Sequence, residues 1–86
     1  MNNIAFTNKA WEEYCYWQLQ DKKTLKRINL LLEDIQRNSF IGLGKTEPLK
    51  NSLSGFWSRR IDETNRLVYC INNEEVRIIQ CRGHYE

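Results

Sequence analysis

Two helical stripes and three strand-like runs divide the chain, with an unpatterned stretch between them. Ala10, Trp11, Tyr14, Cys15 and Trp17 recur at the three-and-four spacing of one helix face, and Thr7 stands ahead of them with a side-chain oxygen suited to capping the first turn. Asp21 can cap a second helix, in which Leu25, Ile28, Leu32 and Ile35 form the buried stripe while Lys22, Lys23, Lys26 and Arg27 sit away from it. Almost nothing separates the two, so they are expected to form a hairpin packed on one face of a sheet. Asn3 to Phe6 alternates weakly and reads as a short first strand.

From Asn38 to Gly55 the periodicity stops, and Gly42, Gly44 and Pro48 punctuate a loop. Its length exceeds most connections in compact domains, which marks it as a candidate functional loop. Three strands are expected next: Phe56–Ile61, Arg66–Ile71 and Val76–Arg82, joined by turns at Asp62–Asn65 and Asn72–Glu75 that are short enough for antiparallel hairpins. The order β-α-α-β-β-β predicts one α+β domain over residues 1–86, a helical hairpin on a small antiparallel sheet.

Strand alternation sends Arg59 and Arg60 to opposite faces, with Phe56, Ser58 and Arg60 on one side and Trp57, Arg59 and Ile61 on the other. Arg66 opens the next strand opposite Arg60. Two neighbouring guanidiniums repel unless an anion joins them, and a phosphate suits their bidentate geometry; the plainer alternative is a pair of solvated strand charges. A two-residue turn at Asn73-Glu74 would place Ile71 opposite Val76 and Leu67 opposite Gln80. Arg66 would then share a face with Cys81, Gly83 and Tyr85 rather than with His84, unless a bulge or a bend at Gly83 intervenes.

Composition changes this picture little. Hydrophobic residues make up 41% and there are three tryptophans, which argues for a folded chain, while a net charge of +2 says nothing decisive about nucleic acid. Cys15, Cys70 and Cys81 show no metal-ligand spacing and cannot all pair, so neither a metal nor another cofactor is expected, and reduced thiols fit a cytoplasmic protein. The start lacks the pattern of a signal peptide, and the longest aliphatic run, Leu30-Leu31-Leu32, is too short to span a membrane.

Chemistry concentrates late in the chain. Glu47 lies in the punctuated loop three residues before Lys50; it is either a general base kept ionised by basic neighbours or one more loop carboxylate. His84, the only histidine, can donate a proton at neutral pH or can simply be solvated. Base, cations and acid are what internal cleavage of RNA requires. Phe56, Trp57, Tyr69 and Tyr85 interleave with these charges, as suits stacking on unpaired bases, whereas Trp11, Tyr14 and Trp17 read as core.

Lys45-Thr46-Glu47-Pro48-Leu49-Lys50, then Leu53-Ser54-Gly55-Phe56-Trp57-Ser58-Arg59-Arg60-Ile61, Arg66-Leu67-Val68-Tyr69 and the end Cys81-Arg82-Gly83-His84-Tyr85 resemble the YoeB/Txe toxins of the RelE superfamily, as does Tyr14-x-Tyr16-Trp17 in the first helix. The resemblance runs nearly end to end. It implies a toxin of a type II toxin–antitoxin system, a metal-independent endoribonuclease that cuts mRNA in the decoding site of the ribosome by attack of the 2′-hydroxyl. It further implies Glu47 as general base, His84 as general acid, Arg66 as transition-state stabiliser, Lys50 and Arg60 as phosphate contacts, and Tyr85 as the matching end of the motif. The implied partners are a YefM-like antitoxin, the ribosome with its mRNA, operator DNA reached only through the antitoxin complex, and a second copy in a homodimer. Two positions depart from the family: Gly83 stands where many relatives carry an aromatic residue, and Glu86 adds a carboxylate beyond the His-Tyr end. Two rival readings remain at this point, a non-catalytic RNA- or ribosome-binding module and an antitoxin-binding co-repressor domain.

Overall fold

The computed structural model describes residues 2–84. Strand β1 (Asn3–Phe6) leads into helices α1 (Asn8–Gln20) and α2 (Lys22–Arg37), then into β2 (Glu47–Pro48), a short 3-10 turn (Asn51–Leu53), and strands β3 (Trp57–Arg60), β4 (Arg66–Asn72) and β5 (Glu75–Gln80). The α+β class and the helical hairpin are as expected. Thr7 accepts the Ala10 amide at the start of α1, and Asp21 accepts the amides of Lys23 and Thr24 at the start of α2. These caps satisfy amides that have no partner within the helix. Because Asp21 alone separates the helices, their antiparallel packing follows directly.

The sheet has the order β1-β5-β4-β3-β2 and is mixed rather than wholly antiparallel. β1 pairs in parallel with β5, from Asn3 opposite Glu75 to Phe6 opposite Ile78, because the helical hairpin carries the chain back across one face before the meander begins. The loop also supplies a further edge strand, β2, in which Glu47 lies opposite Ser58 and Pro48 opposite Trp57. Proline fits there because an edge strand needs no donor on its outer side.

The core lies between the helices and the sheet: Ala10 and Trp17, then Ile28, Leu31, Leu32 and Ile35, pack on Leu67, Tyr69, Val76, Ile78 and Cys81. Leu31 is fully buried and Leu25 only partly so, because positions 28, 31, 32 and 35 make a broader stripe than a single row. Trp11 is not core: it is half exposed, stacks on Tyr14 and meets Phe6 edge to face. Burial pushes the Cys81 thiol up to about 12, so it packs as an apolar group.

The largest fully buried side chain is Arg59, far from a solvated strand charge. It commits all its N–H donors: Nε to the Tyr69 hydroxyl at 3.2 Å, Nη1 to Asp34 Oδ2 and the Leu43 carbonyl, and Nη2 to the carbonyls of Asn38 and Ile41. Asp34 also accepts the Leu43 amide at 3.0 Å, and the Tyr69 hydroxyl donates to the Ser39 carbonyl at 2.6 Å. The unpatterned segment after α2 is therefore wound round a buried guanidinium, which replaces the water its carbonyls would otherwise need. Gly42, at φ +125°, passes so close to Asp34 that an added Cβ would fall 2.1 Å from Oδ2.

Removing the buried guanidinium leaves a cavity and strands the carbonyls of Asn38, Ile41 and Leu43, so Arg59→Ala is expected to lower the unfolding free energy by about 3–5 kcal/mol. Arg59→Lys should recover little, since a point charge cannot reach the same set of acceptors. Urea unfolding of both variants checks this, and a loss below about 1 kcal/mol would contradict it.

The hydrogen bond from Arg59 holds the Asp34 carboxyl below its ordinary value, with burial opposing and the Leu43 amide assisting. A carboxylate depressed by folding adds stability above its unfolded pKa, near 3.9, and that stability is lost as pH falls towards the folded value. The melting temperature should therefore hold between neutrality and about pH 5 and drop below about pH 4. In Asp34→Asn it should start lower and fall less steeply over the same acid range.

Candidate active site

The face of the sheet opposite the helices carries a cleft of about 250 Å³ lined by Lys45, Glu47, Ser58, Arg60 and Arg66. Each wall has a separate cause. Arg60 and Arg66 are direct cross-strand partners on β3 and β4, as their spacing in the sequence implied, so two guanidinium side chains start from neighbouring backbone positions. Glu47 arrives from the loop because β2 pairs with β3 opposite Ser58, whose buried side chain forms the floor.

The loop is led to that place by Gly44, whose carbonyl accepts the Arg60 amide. Gly44 adopts φ +84°, and an added Cβ would stand 3.0 Å from the Arg60 carbonyl and from Leu31 Cδ2. A side chain there would push the loop off β3. Lys45 follows at φ +52° and turns into the cleft. It was not singled out from the sequence, although a basic residue just after a close-packed glycine is a usable signal.

Three cations around one carboxylate make an anion-attracting site. Arg66 is held in place by bonds from Nη1 to the carbonyls of Asp62 at 2.7 Å and Asn65 at 3.2 Å. Arg60 Nε is buried and has no hydrogen-bond partner among the described residues. A buried donor left unmatched costs about 1–3 kcal/mol, and an anion oxygen in the cleft would remove that cost.

Lys50 lies in an adjoining cleft of about 470 Å³ that runs from Glu47 to Leu53. Glu47 lines both clefts and Lys50 only the larger one. A substrate threading both would meet Lys50 on one side of Glu47 and the arginine pair on the other.

The register that separated Arg66 from His84 is corrected. Ile71 does face Val76, but Val68, not Leu67, faces Gln80, because the β4–β5 pairing slips by one residue between Val68 and Tyr69. Tyr69 faces Ile78, so Ile79 is the extra residue of a β-bulge, and every later position on β5 changes face. Cys81 accordingly turns into the helix-side core with Leu67, while Arg66 lines the open cleft. The bend expected at Gly83 is also present, at φ +86°. The Arg66 amide donates to the Gly83 carbonyl at 2.9 Å, so the exposed His84 leaves the chain beside Arg66. Tyr85 and Glu86 lie outside the described residues.

The structure thus brings Glu47, Arg60 and Arg66 into one cleft, sets Lys50 in the next, and holds the base of His84 alongside. A carboxylate, a pair of arginines and an imidazole in this order can take a proton, hold a phosphodiester and give a proton back.

Comparison with known proteins gives a consistent result. The model of one family, a YoeB-like toxin of bacterial type II toxin-antitoxin system, matches residues 6–85. A toxin YoeB of Synechocystis sp. is 55% identical over 83 residues, covering 96% of this chain and 96% of that protein. The solved structure of a YoeB dimer from Staphylococcus aureus superposes with a TM-score of 0.91 at 46% identity, over 98% of each chain. A heterotetrameric YoeB-YefM toxin-antitoxin complex from Staphylococcus aureus gives 0.90 at 45% identity, over 99% of each chain.

Proposed function

The chain belongs to the family of YoeB-like toxins of bacterial type II toxin–antitoxin systems, and from that membership we propose that it is an endoribonuclease that cuts mRNA in the decoding site of the ribosome. The observation that carries the proposal is the single cleft in which Glu47 meets Arg60 and Arg66, with a buried Arg60 donor left for an anion. Glu47 takes the proton of a 2′-hydroxyl, whose oxygen attacks the adjacent phosphorus. Arg60, Arg66 and Lys45 share the charge that builds on the non-bridging oxygens, while Lys50 holds the neighbouring phosphate. The bond to the 5′-oxygen breaks as the His84 imidazolium protonates it, leaving a 2′,3′-cyclic phosphate and a 5′-hydroxyl. A water then carries the proton from Glu47 back to the imidazole.

We take cleavage to depend on the ribosome: among the described residues the open clefts offer chiefly charge and a proton acceptor, which leaves in-line alignment of the nucleotide to the ribosome. The decoding site would provide that alignment, and alignment alone is worth several orders of magnitude.

Glu47→Ala, Arg66→Ala and His84→Ala should each lower single-turnover cleavage on programmed ribosomes by about 10²–10⁴-fold, with Lys50→Ala and Arg60→Ala less damaging. His84→Gln should be nearly as poor as alanine, because it keeps the shape but donates no proton readily. A message with a 2′-methoxy group at the scissile position should survive intact. Circular dichroism must show each variant folded. Cleavage of the blocked message, or wild-type rates in folded Glu47→Ala and His84→Gln, would overturn the catalytic reading in favour of a binding module.

A basic cleft of this kind calls for an acidic or amphipathic cover, and the Staphylococcus aureus relative is found in a complex with YefM. We take the partner of this chain to be a YefM-like antitoxin that folds onto the cleft, with contact to operator DNA made through that complex and self-association as a homodimer in its absence. Co-expression with a YefM-like antitoxin should yield a stable complex that neither cleaves mRNA nor slows growth. Full cleavage by the saturated complex would contradict this.

A further inference from the structure

The peptide that precedes His84 is gripped from both sides. Asn65 Oδ1 accepts the Gly83 amide at 2.7 Å, while the Gly83 carbonyl accepts the Arg66 amide at 2.9 Å and Gln80 Nε2 at 3.0 Å. Asn65 is itself oriented: its Nδ2 donates to both oxygens of Asp62 at 3.1 Å each, and Asp62 Oδ1 accepts the amides of Thr64 and Asn65 at 2.8 and 2.7 Å. Burial pushes the Asp62 carboxyl up, but these bonds together, with Arg66 nearby, outweigh it and hold the group below its ordinary value. The amide group of one turn residue is thereby locked, oxygen towards the tail and nitrogen towards the turn.

The grip is local. Two residues earlier, Cys81 is anchored independently to α1, its amide donating to Glu13 at 2.8 Å and its carbonyl accepting Trp17 Nε1 at 2.9 Å. Gly83 has no atom within 4 Å of an added Cβ, so it is not wedged in place by packing. Loss of the Asn65 bond would loosen the segment that carries His84, leaving the Gly83 carbonyl bonds in place and the core closed.

We propose that Asn65 is a positioning residue for His84, linking the Asp62 turn, which also holds the Arg66 guanidinium, to the backbone from which the imidazole departs. This rests on the reading of His84 as proton donor. One turn then sets both the cation that stabilises the phosphate and the acid that protonates the leaving oxygen. The distance between them is fixed by the side-chain amides of Asn65 and Gln80 together with the backbone bond from Arg66 to Gly83.

His84 is the only histidine, so its imidazole resonance in a labelled full-length chain is unambiguous. Asn65→Ala should shift that resonance towards the value of an unstructured histidine, remove the exchange protection of the Gly83 amide, and lower the single-turnover rate on ribosomes by about 10- to 100-fold at unchanged half-saturation. The exchanged pair Asp62→Asn with Asn65→Asp keeps an oxygen for the Gly83 amide and reverses the donor between the turn residues. It should restore the resonance and most of the rate. A Asn65→Ala protein whose imidazole resonance and Gly83 protection match wild type overturns the proposal, and so does one in which both change while the rate does not. If the wild-type chain fails to cleave at all, the catalytic reading falls, and the resonance and exchange data still decide whether Asn65 holds the tail.

Discussion

Arg59 is a cation with no access to water, and the geometry of the cleft depends on how that cation is satisfied. Its donors fix the carbonyls of Asn38, Ile41 and Leu43, and Asp34 fixes the Leu43 amide. Chain direction at Leu43 determines where Gly44 meets β3, and that meeting delivers Lys45 and Glu47 to the open face. Burial of an ion pair is expensive in itself and is a weak source of stability. What it secures here is placement: a segment without helix or strand periodicity takes one path because only that path supplies the acceptors.

The pair Arg59-Arg60 shows the two uses of one residue type on adjacent positions. Strand alternation puts one guanidinium on the helix side, where every donor is matched, and the next on the open side, where Nε has no partner among the described residues. The first is structural because it is complete. The second is available for an anion because it is not. Their backbones are continuous, so a shift of β3 that relaxed Arg59 would also move Arg60.

Much of the fold could be read in advance because its signals are local. Thr7 and Asp21 cap helices whose apolar stripes repeat at helical spacing, and Arg60 and Arg66 face each other because the turn between them is short. The parallel pairing of β1 could not be read so, since nothing in Asn3–Phe6 records which strand it will meet or in what direction. The same holds for β2, two residues whose strand character comes wholly from the partner. The Ile79 bulge leaves one mark in residues 76–82, the doubled apolar pair Ile78-Ile79 that breaks the alternation and puts Cys81 rather than Gln80 in the core. Glu47, Arg60 and Arg66 stood out as chemically apt residues. Lys45, Ser58 and Asn65 did not, because their roles come from contacts with residues remote in the sequence or from the conformation of a turn.

The bulge and the turn together explain how the backbone that leads to His84 is held. Without the extra residue at Ile79, Cys81 would face the cleft and the helix side would lose a buried group, so the core's demand for Cys81 enforces the change of face. Glu13 and Trp17 then fasten Cys81 to α1, and Asn65, Arg66 and Gln80 fasten Gly83 to the sheet. Between these two anchors only Arg82 intervenes, with its guanidinium 3.6 Å above the Tyr16 ring. Ordering backbone outside helices and strands costs conformational entropy. Here the cost is offset by bonds that the helix and the β3–β4 turn make for their own completion, and His84 is the first residue beyond them.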